Sequence, residues 1–562
     1  MNNLQKVKSI FTSRALKDIY RWSRGVHGTL LLLCLLYCVS SLLSLGVPLA
    51  SRELIDSAVS GDTGALWRFG LLLAALIAAM RLVNVLTSLM RTRANVRLQQ
   101  DMQQMVTRAL LSKEYAAIKG FHSGELVNRI FSDVVVVQGG LVSIVPSLVY
   151  TAVSFVGAAA ILIGMDWRFV PVLIASGLVG VGLTVAFRGP MSRRHKRMQA
   201  AQDALHANVQ ETLEHIHLIK ASMSEDRAMV QVTDRRARLD AEQLRNGRLG
   251  TMMNNGMGAA FDLSWLVCNI WGCVKIAQGQ FTYGGLAALI QLIGRIQGPI
   301  SDAVQLMSEI YGVIASAERL QDVVGLPDEQ TREVMTGFDG IALRDVRFQY
   351  DDGTEDVLLD VNAEIHKGDF VALTGMSGAG KTSLFQLLLG IYRPTQGEVL
   401  FMNGEETVRA NRGTRGLFAY VPQGNTLFSG TLRENLTRFA DDATDEDIAW
   451  AVRAACLEDL VRDIGLDAVL GERGMGLSEG QAQRVAIARA LLTKAPILLL
   501  DEVTSALDEA TEAKLLDNIG AMKDKTMLIV THRPAALGIC TVVWQINDGR
   551  LTVKRPGETP VA

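Results

Sequence analysis

Six long apolar stretches in the first half of the chain constrain its fold more than any other feature. They cover residues 28–49, 65–90, 134–165, 169–187, 252–276 and 281–310. A helix needs roughly 20 mostly apolar residues to cross a bilayer, so each stretch predicts one membrane-spanning helix. The chain has 562 residues, 49% of them apolar. That length is too great for one core and predicts at least two domains.

The distribution of basic residues predicts the orientation of these helices. The connections 91–133 and 188–248 are long, polar and rich in Arg and Lys. The connections on the other side carry few cations, mainly Arg52, Arg68 and Arg168. Because positive charge is concentrated on the cytoplasmic side of membrane proteins, both termini and both long connections are predicted to be cytoplasmic.

The N-terminal segment and the overall composition argue against several classes of protein. Residues 1–27 are basic and precede an apolar run that is longer than the core of a signal peptide, so we expect an amphipathic cytoplasmic helix and no cleavable signal. The net charge of −2 gives no indication of a nucleic-acid partner. The six cysteines lack zinc-ligand spacing and are interpreted as buried thiols.

Several polar residues interrupt the apolar stretches. A charge at mid-bilayer is costly, so we expect Arg81, Asp262 and Arg295 to face protein or a cavity. Two alternatives remain open, contact with a transported substrate or pairing with one another. The full polar set is Arg81, Asn84, Asn254, Asn255, Asp262, Asn269, Gln291, Arg295, Gln297 and Asp302.

A glycine-rich loop in the second half separates a predicted strand, 369–373, from a predicted helix that starts at Ser383. In this arrangement, backbone N–H groups and a helix N-terminus surround a polyphosphate. Lys381 is placed to reach the β- and γ-phosphates, and Thr382 to offer its hydroxyl to Mg²⁺. The loop consists of Gly375, Met376, Ser377, Gly378, Ala379, Gly380, Lys381 and Thr382.

Further short motifs accompany this loop in a fixed order. Tyr350 precedes it. After it come Gln423, the run 477–481 and the acidic pair Asp501 and Glu502, which ends an apolar strand. The run 505–508 and then His532 follow. With these motifs the chain resembles the ATP-binding-cassette (ABC) transporters, in the exporter layout of a six-helix membrane domain fused ahead of one cassette.

The resemblance implies a role for each residue around the nucleotide. Tyr350 is similar to the aromatic residue that stacks on adenine. Asp501 is similar to the carboxylate that holds Mg²⁺, and Glu502 to the general base that polarises the attacking water. Gln423 matches the glutamine that ligates Mg²⁺ and senses the membrane domain. His532 matches the histidine that contacts the γ-phosphate, and Ser383 completes the loop.

The run 477–481 resembles the family's signature motif. In the family, this motif faces the γ-phosphate held by a second cassette, which implies roles for Ser478, Gly480 and Gln481. Asp508 belongs to the loop that communicates between the two sites. The chain departs from the family at Glu479, where glycine is usual, and this residue adds a negative charge beside an anion site.

The predicted fold is therefore multidomain: an all-α polytopic membrane domain with six transmembrane helices, followed by an α/β P-loop ATPase domain. We place the approach helix at 1–27, the membrane domain at 28–320, a linker at 321–336 and the ATPase domain at 337–562. Residues 123–133 and 211–220 resemble coupling segments that dock on a cassette, and residues 471–474 resemble the loop that precedes the signature.

The resemblance implies an ATP- and Mg²⁺-dependent exporter in the bacterial cytoplasmic membrane, with its ATPase domain in the cytoplasm. Its expected partners are the lipid bilayer and a second copy of itself, although a different partner chain remains an alternative. The expected substrate is an amphipathic compound: a drug-like molecule, a lipid or a peptide. The second hypothesis is a membrane ATPase that regulates a partner without transporting substrate itself.

Overall fold

The computed structural model describes residues 14–330, 334–350, 353, 355–471 and 476–555, except for the side chains of 14–16, 181, 188, 299–305, 307 and 308. The expected pre-signature loop, 471–474, therefore lies almost wholly outside the described residues. The chain divides into two compact units. The first comprises Met1–Leu110 and His122–Gly325, and the second comprises Leu111–Phe121 and Leu326–Ala562.

The first unit is helical throughout its described elements. Its α-helices are accompanied by a short 3-10 helix, Arg24–Val26, and a short π-helix, Arg129–Asp133. Its helices are α1 (Arg14–Trp22), α2 (His27–Ser60), α3 (Thr63–Ser112), α5 (Ser123–Asn128), α6 (Val134–Asp166), α7 (Phe169–Glu214), α8 (Ile216–Ala221), α9 (Glu225–Ala277) and α10 (Tyr283–Val324).

Five helical segments in the described part of this unit are long and apolar enough to cross a membrane. They are Arg24–Ser60, Thr63–Ser112, Ser123–Asp166, Phe169–Phe187 and Glu225–Ala277. Each contains one of the first five predicted apolar stretches. The sixth stretch, 281–310, lies mainly on α10, where several side chains are outside the described set, so its membrane crossing stays a prediction. The helices run well beyond the apolar stretches because their polar continuations are also helical.

Capping residues explain where α2 ends and where α10 begins. Gly61 caps α2 with φ of 78°, a left-handed conformation that glycine adopts without steric cost. Thr282 caps α10 by accepting a hydrogen bond from the Gly285 N–H at 2.9 Å. The Asp56 carboxylate then accepts from the Thr282 hydroxyl and from the Gly284 N–H, each at 2.8 Å. These bonds join the end of α2 to the start of α10.

The second unit contains two larger sheets and a two-stranded antiparallel pair, β7 with β8. One sheet is antiparallel in the order β2-β1-β4-β5. The other has the order β12-β11-β3-β10-β9-β6, with β12 antiparallel and the rest parallel. The strands are β1 (Gly340–Phe348), β2 (Leu358–His366), β3 (Phe370–Gly375), β4 (Gln396–Asn403), β5 (Glu406–Arg409), β6 (Phe418–Val421), β7 (Gly430–Thr431), β8 (Val469–Leu470), β9 (Ile497–Asp501), β10 (Thr526–Val530), β11 (Val542–Asn547) and β12 (Arg550–Lys554).

Helices cover the parallel sheet, and the carboxyl ends of its central strands meet at one edge. Val530 of β10 pairs with Leu373 of β3 and with Asp501 of β9, so the segments that follow all three strands emerge together. Ligands of parallel α/β sheets bind at this edge. The helices are α11 (Lys381–Leu388), α12 (Leu432–Thr437), α13 (Asp445–Ala454), α14 (Glu458–Ile464), α15 (Glu479–Leu492), α16 (Glu509–Gly520) and α17 (Pro534–Gly538).

One segment differs from the domain boundaries that we predicted. Leu111–Phe121, which contains the short helix α4 (Tyr115–Lys119), belongs to the second unit although the prediction includes it in the membrane domain. Lys113 binds Asp328 at 2.7 Å, and Glu114 binds Arg393 at 2.7 Å. The sequence showed only an ordinary polar connection here. These ion pairs join residues more than 200 positions apart, and only the tertiary structure reveals them.

Candidate functional site

The glycine-rich loop lies between β3 and α11, as its strand–loop–helix pattern predicts. Gly375 and Gly380 have φ of 148° and 101°. A Cβ atom on Gly375 would lie 2.4 Å from the Ile546 carbonyl oxygen, and one on Gly380 would lie 2.9 Å from Leu358. Both positions therefore require glycine. The intervening residues 376–378 are exposed at the tip of the loop, where their backbone N–H groups are accessible.

Lys381 lies at the base of this loop and is only 7% exposed. Its Nζ atom donates hydrogen bonds to the carbonyl oxygens of Gly375 at 2.6 Å and Met376 at 3.0 Å. The His532 Nε2 atom lies 3.5 Å from the same Nζ. The structure thus brings together the lysine and histidine that the sequence analysis assigns to the γ-phosphate, although they are 151 residues apart.

Thr382 and Asp501 form the candidate Mg²⁺ site. The Thr382 hydroxyl donates to the Asp501 carboxylate at 3.2 Å. Asp501 is 2% exposed, and its burial raises the pKa of its carboxyl group, while the bond from Thr382 opposes that rise. Among the described residues, no group of three or more His, Cys, Asp and Glu is arranged to hold a metal. A site with few protein oxygens suits Mg²⁺, which also takes waters and phosphate oxygens as ligands.

Glu502 and Gln423 meet beside this pair. The Gln423 side-chain amide donates to the Glu502 carboxylate at 2.7 Å, which leaves the amide oxygen of Gln423 as a further ligand for a cation. Glu502 has φ of 51°, in the left-handed region that non-glycine residues seldom adopt. Such backbone strain costs roughly 1–3 kcal/mol and concentrates at functional sites. The bond from the Glu502 N–H to the Val530 carbonyl, 3.2 Å, holds this conformation.

Tyr350, the predicted adenine-stacking residue, lies against the start of α11. Its hydroxyl is 2.8 Å from the Ser383 hydroxyl, and its ring meets the edges of Phe348 and Tyr392. The ammonium group of Lys119, from α4, lies over the Tyr350 ring at 4.5 Å from its centre. Sequence reasoning missed Lys119. No local motif marks it, and its cation–π contact depends on the docking of α4 within this unit.

The signature residues form a separate group. Ser478 caps α15, where its hydroxyl accepts from the Gln481 N–H at 3.2 Å and its own N–H donates to the Gln481 side chain at 2.9 Å. Gly480 lies against the Ala506 carbonyl oxygen, which would be 2.8 Å from a Cβ atom. Asp508 caps α16 by accepting from the Thr511 N–H at 2.9 Å. No hydrogen bond among the described residues joins this group to the glycine-rich loop.

Two arginines that sequence reasoning missed hold these segments in place. Arg533 follows His532 and donates to the Leu507 and Ser505 carbonyls at 3.1 and 2.9 Å. It also forms an ion pair with Glu512. Arg533 therefore connects the segment after β10, which carries His532, to the segment that contains Asp508. Its position directly after His532 was the only feature of the sequence that could have indicated this role of Arg533.

Arg489 holds α15 in place by a second set of hydrogen bonds. Its guanidinium donates to the carbonyl and hydroxyl of Thr426 at 3.0 and 2.9 Å, and it also lies over the Phe439 ring at 5.3 Å. Burial lowers the pKa of Arg489 from its usual value. Since Thr426 follows Gln423 by three residues, Arg489 connects the signature helix to the glutamine that reaches Glu502.

Comparison with known proteins adds two matches to protein families. Residues 30–300 match the family described as "ABC transporter transmembrane region". Residues 358–505 match the family described as "ABC transporter". The first match covers the stretch that contains the predicted membrane helices, and the second runs from β2 to the segment that follows Glu502.

Several full-length relatives are similar over most of the chain. The glutathione/L-cysteine transport system ATP-binding/permease protein CydC of Escherichia coli is 29% identical over 82% of this chain and 81% of its own length. A multidrug resistance ABC transporter ATP-binding and permease protein of Lactococcus lactis is 28% identical over 76% and 74%. An ATP-dependent lipid A-core flippase of Syntrophus aciditrophicus is 27% identical over 78% and 74%.

A solved structure shares the whole architecture. It is described as a bacterial Atm1-family ABC exporter with ATP bound, and it aligns with a TM-score of 0.81 over 94% of both chains at 21% identity. At this identity the likeness concerns the fold. It confirms the predicted order of a helical membrane domain followed by an α/β ATPase domain.

Proposed function

Because this chain is an ABC exporter of the half-transporter type, with a membrane domain fused to one ATP-binding domain, we propose that it exports an amphipathic substrate by alternating access. The protein is an integral membrane ATPase that uses ATP with Mg²⁺ and couples hydrolysis to transport. The observation that carries the proposal is the hydrogen-bonded set of Lys381, Thr382, Gln423, Asp501 and Glu502 in the same chain as the membrane helices.

In this proposal, each residue of that set has one task. Lys381 turns from the loop carbonyls to the β- and γ-phosphates, and its buried ammonium stabilises the charge that develops there. Thr382, Asp501 and Gln423 supply the oxygens that hold Mg²⁺, which neutralises phosphate charge when bound. Glu502 accepts the proton of the attacking water, and Gln423 fixes its carboxylate.

His532 and Tyr350 complete the nucleotide pocket in the proposed arrangement. The His532 ring, which is already within reach of Lys381, donates to a γ-phosphate oxygen. Tyr350 provides a flat face for the adenine ring. Ser383 lies beneath the Tyr350 hydroxyl, and the loop residues Gly375–Gly380 bind phosphate oxygens through their N–H groups.

A second copy of the chain is the proposed partner. Ser478, Gly480 and Gln481 lie at the start of α15, where the positive end of the helix dipole attracts an anion. They make no described contact with the chain's own glycine-rich loop, which supports a role toward the nucleotide of another cassette. The presence of every hydrolytic residue favours a homodimer with two competent sites over a pairing with a different chain.

The substrate class is proposed at a coarse level. The relatives are named for glutathione and L-cysteine, for multiple drugs and for lipid A-core. Drugs and lipid A combine polar groups with apolar surface, which supports an amphipathic substrate, whereas glutathione and L-cysteine are small polar molecules. We place the protein in the bacterial cytoplasmic membrane with both termini and the ATPase domain in the cytoplasm, as the basic connections support.

Reconstitution in lipid vesicles tests the proposal. The purified full chain should hydrolyse ATP with Mg²⁺ and accumulate an amphipathic fluorescent dye inside inverted vesicles only when ATP is present. Glu502→Gln vesicles are the matched control, since they bind ATP without turning it over. ATP hydrolysis without flux of any compound in a broad panel of dyes, peptides and labelled lipids would instead favour a regulatory membrane ATPase.

A further inference from the structure

Helix α10 exposes polar and small residues where a lipid-facing helix exposes apolar ones. Its buried side is apolar and comprises Leu289, Leu292, Ile293 and Ile296, none of them more than 6% exposed. Among residues 284–298, the exposed positions are Gln291 and Gly294, with the partly exposed Arg295 beside them. One side of this predicted span therefore packs in the core of the unit, and the other is hydrophilic.

Helix α3 shows the opposite arrangement. No residue in its most apolar window is buried in the described structure. Its exposed large residues include Leu71, Leu72, Ile77, Leu82 and Val85. Such a surface suits lipid chains, whereas the exposed side of α10 does not. We therefore assign the hydrophilic side of α10 to the substrate pathway.

Arg295 is the one cation on that side of α10 within residues 284–298. It lies 12 residues beyond the start of α10 at Tyr283, or about 18 Å along the axis at 1.5 Å per residue. That distance places it near the middle of a hydrocarbon layer about 30 Å thick. A guanidinium group at this depth needs compensation from a partner or a bound ligand.

The described residues provide only a neutral partner. One Arg295 N–H group donates to the Tyr150 hydroxyl at 2.9 Å, and no described carboxylate forms an ion pair with the guanidinium. Pairing with Asp262, one alternative that the sequence left open, is not observed among the described contacts. An arginine has five N–H donors. The other four have no partner among the described residues, and the guanidinium remains partly accessible.

Neighbouring side chains hold this group in one orientation. The Tyr150 ring meets the Tyr37 ring edge-on at 6.4 Å, which fixes the phenol between α6 and α2. Two residues beyond Arg295, the Gln297 amide donates to the Ser264 hydroxyl of α9 at 2.7 Å. The Tyr150 hydroxyl is thus the neutral group that orients the guanidinium, and Gln297 bonds α10 to α9 beside it. The charge of the guanidinium is left uncompensated by the described residues.

We propose that Arg295, oriented by Tyr150, binds an oxyanion of the transported molecule, a carboxylate or a phosphate on an otherwise apolar body. The planar guanidinium matches either group with two parallel hydrogen bonds. This inference rests on the proposed transport function and narrows its substrate class from amphipathic to anionic amphipathic compounds. Tyr150 is a positioning residue, because it acts on the ligand through Arg295.

The test uses pairs of probes that differ in charge. The full chain is reconstituted in inverted phosphatidylcholine vesicles, and ATP-dependent uptake is measured for carboxyfluorescein and for the cationic dye rhodamine 123. A second arm measures flipping of fluorescent phosphatidic acid against fluorescent phosphatidylcholine. Preference for the soluble dye identifies a carboxylate solute, and preference for phosphatidic acid identifies a lipid phosphate.

Substitutions then assign the preference to Arg295. Arg295→Gln should raise the half-saturating concentration of the preferred anionic probe at least tenfold, because charge-assisted hydrogen bonds are lost. Uptake of rhodamine 123 and the ATPase rate without probe should not change. Arg295→Lys should restore part of the affinity. Arg227→Gln, which removes an exposed arginine on α9 outside the apolar stretches, is the matched control and should leave the affinity unchanged.

Tyr150→Phe keeps the charge and provides a variant if Arg295→Gln does not fold. It should weaken the anionic probe severalfold without affecting rhodamine 123. Unchanged anionic affinity in either folded variant, or transport of the cationic and neutral probes alone, would overturn the inference and leave the exporter function standing. Hydrolysis by the wild-type protein without flux of any probe would overturn both.

Discussion

The phosphate-loop end of the cassette and its signature helix differ in how their functional residues are held. The phosphate-loop residues come from four segments, and hydrogen bonds or close contacts link them within one chain. The pairs are Lys381 with His532, Thr382 with Asp501, and Gln423 with Glu502. The side chains of Ser478 and Gln481 each bond to the other residue's N–H group across the first turn of α15. Asp508 likewise caps its own helix.

This difference indicates two kinds of preorganisation. In our proposal, the phosphate-loop end assembles the groups that cleave ATP before any partner arrives, because parallel strands bring them to one edge of the sheet. At the signature end, Ser478 and Asp508 are exposed at the starts of two helices. In our proposal, another cassette supplies the phosphate that binds there. The first end should therefore govern binding and cleavage, and the second the closure of a dimer.

The largest expected effect is a loss of ATP cleavage, with ATP binding retained, when Glu502 is substituted. Glu502→Gln should lower the ATPase rate by about 10²–10⁴-fold, because it removes the proposed general base while the shape and the contact to Gln423 remain. ATP affinity should stay within about twofold, measured by nucleotide binding to the full chain. Glu509→Gln, at an exposed position on α16, is the control. Wild-type turnover in Glu502→Gln would remove Glu502 from this role.

The next effect concerns binding at the phosphate loop. Lys381→Ala should weaken ATP binding by at least about tenfold, since hydrogen bonds to charged groups contribute about 1.5–3 kcal/mol. Lys367→Ala, which removes an exposed lysine elsewhere in the cassette, should bind ATP normally. Equal affinities for the two variants, measured with a fluorescent ATP analogue, would refute the assignment of Lys381 to the phosphates.

A smaller effect tests the signature end. Ser478→Ala and Thr444→Ala each remove a capping box, on α15 and on α13, and each should cost about 1 kcal/mol of stability. Only Ser478→Ala should lower the ATPase rate, severalfold, with ATP affinity retained. Equal rates in the two variants would show that Ser478 is merely a helix cap. A loss of affinity like that of Lys381→Ala would remove the distinction between the two ends.

The smallest effect concerns the pH dependence of stability. Burial raises the pKa of Asp501, so its ionisation destabilises the nucleotide-free fold as the pH rises above the ordinary Asp range and through the raised value. Asp501→Asn should therefore raise the melting temperature at pH 7, and the gain should disappear as the pH falls below the ordinary Asp range.

The matched control for this measurement is Asp517→Asn, an exposed position on α16, which should show no such pH-dependent gain. Both melting curves are recorded without nucleotide and with a chelator present, so that bound cations do not stabilise the wild-type carboxylate. A gain for Asp501→Asn that persists unchanged at pH 4 would mean that something other than the buried charge causes it.

Much of this architecture follows from local sequence patterns. Apolar runs long enough for a bilayer predict helices, since backbone groups in lipid must be satisfied within the helix. The strand–loop–helix pattern places Gly375 and Gly380, because only glycine tolerates their φ angles and close neighbours. These features depend on residues that are adjacent in the chain. The sequence can therefore indicate them without a tertiary structure.

Other features depend on residues far apart in the chain. The contact of Lys119 with Tyr350, the ties made by Arg489 and Arg533, and the placement of Arg295 against Tyr150 have no local pattern. The segment Leu111–Phe121 joins the cassette unit for the same reason. The order of residue types indicated the family and the reaction, and it predicts the nucleotide site. Only packing across long sequence separations decided which charges are paired and which remain accessible, because side-chain contacts depend on distance in space.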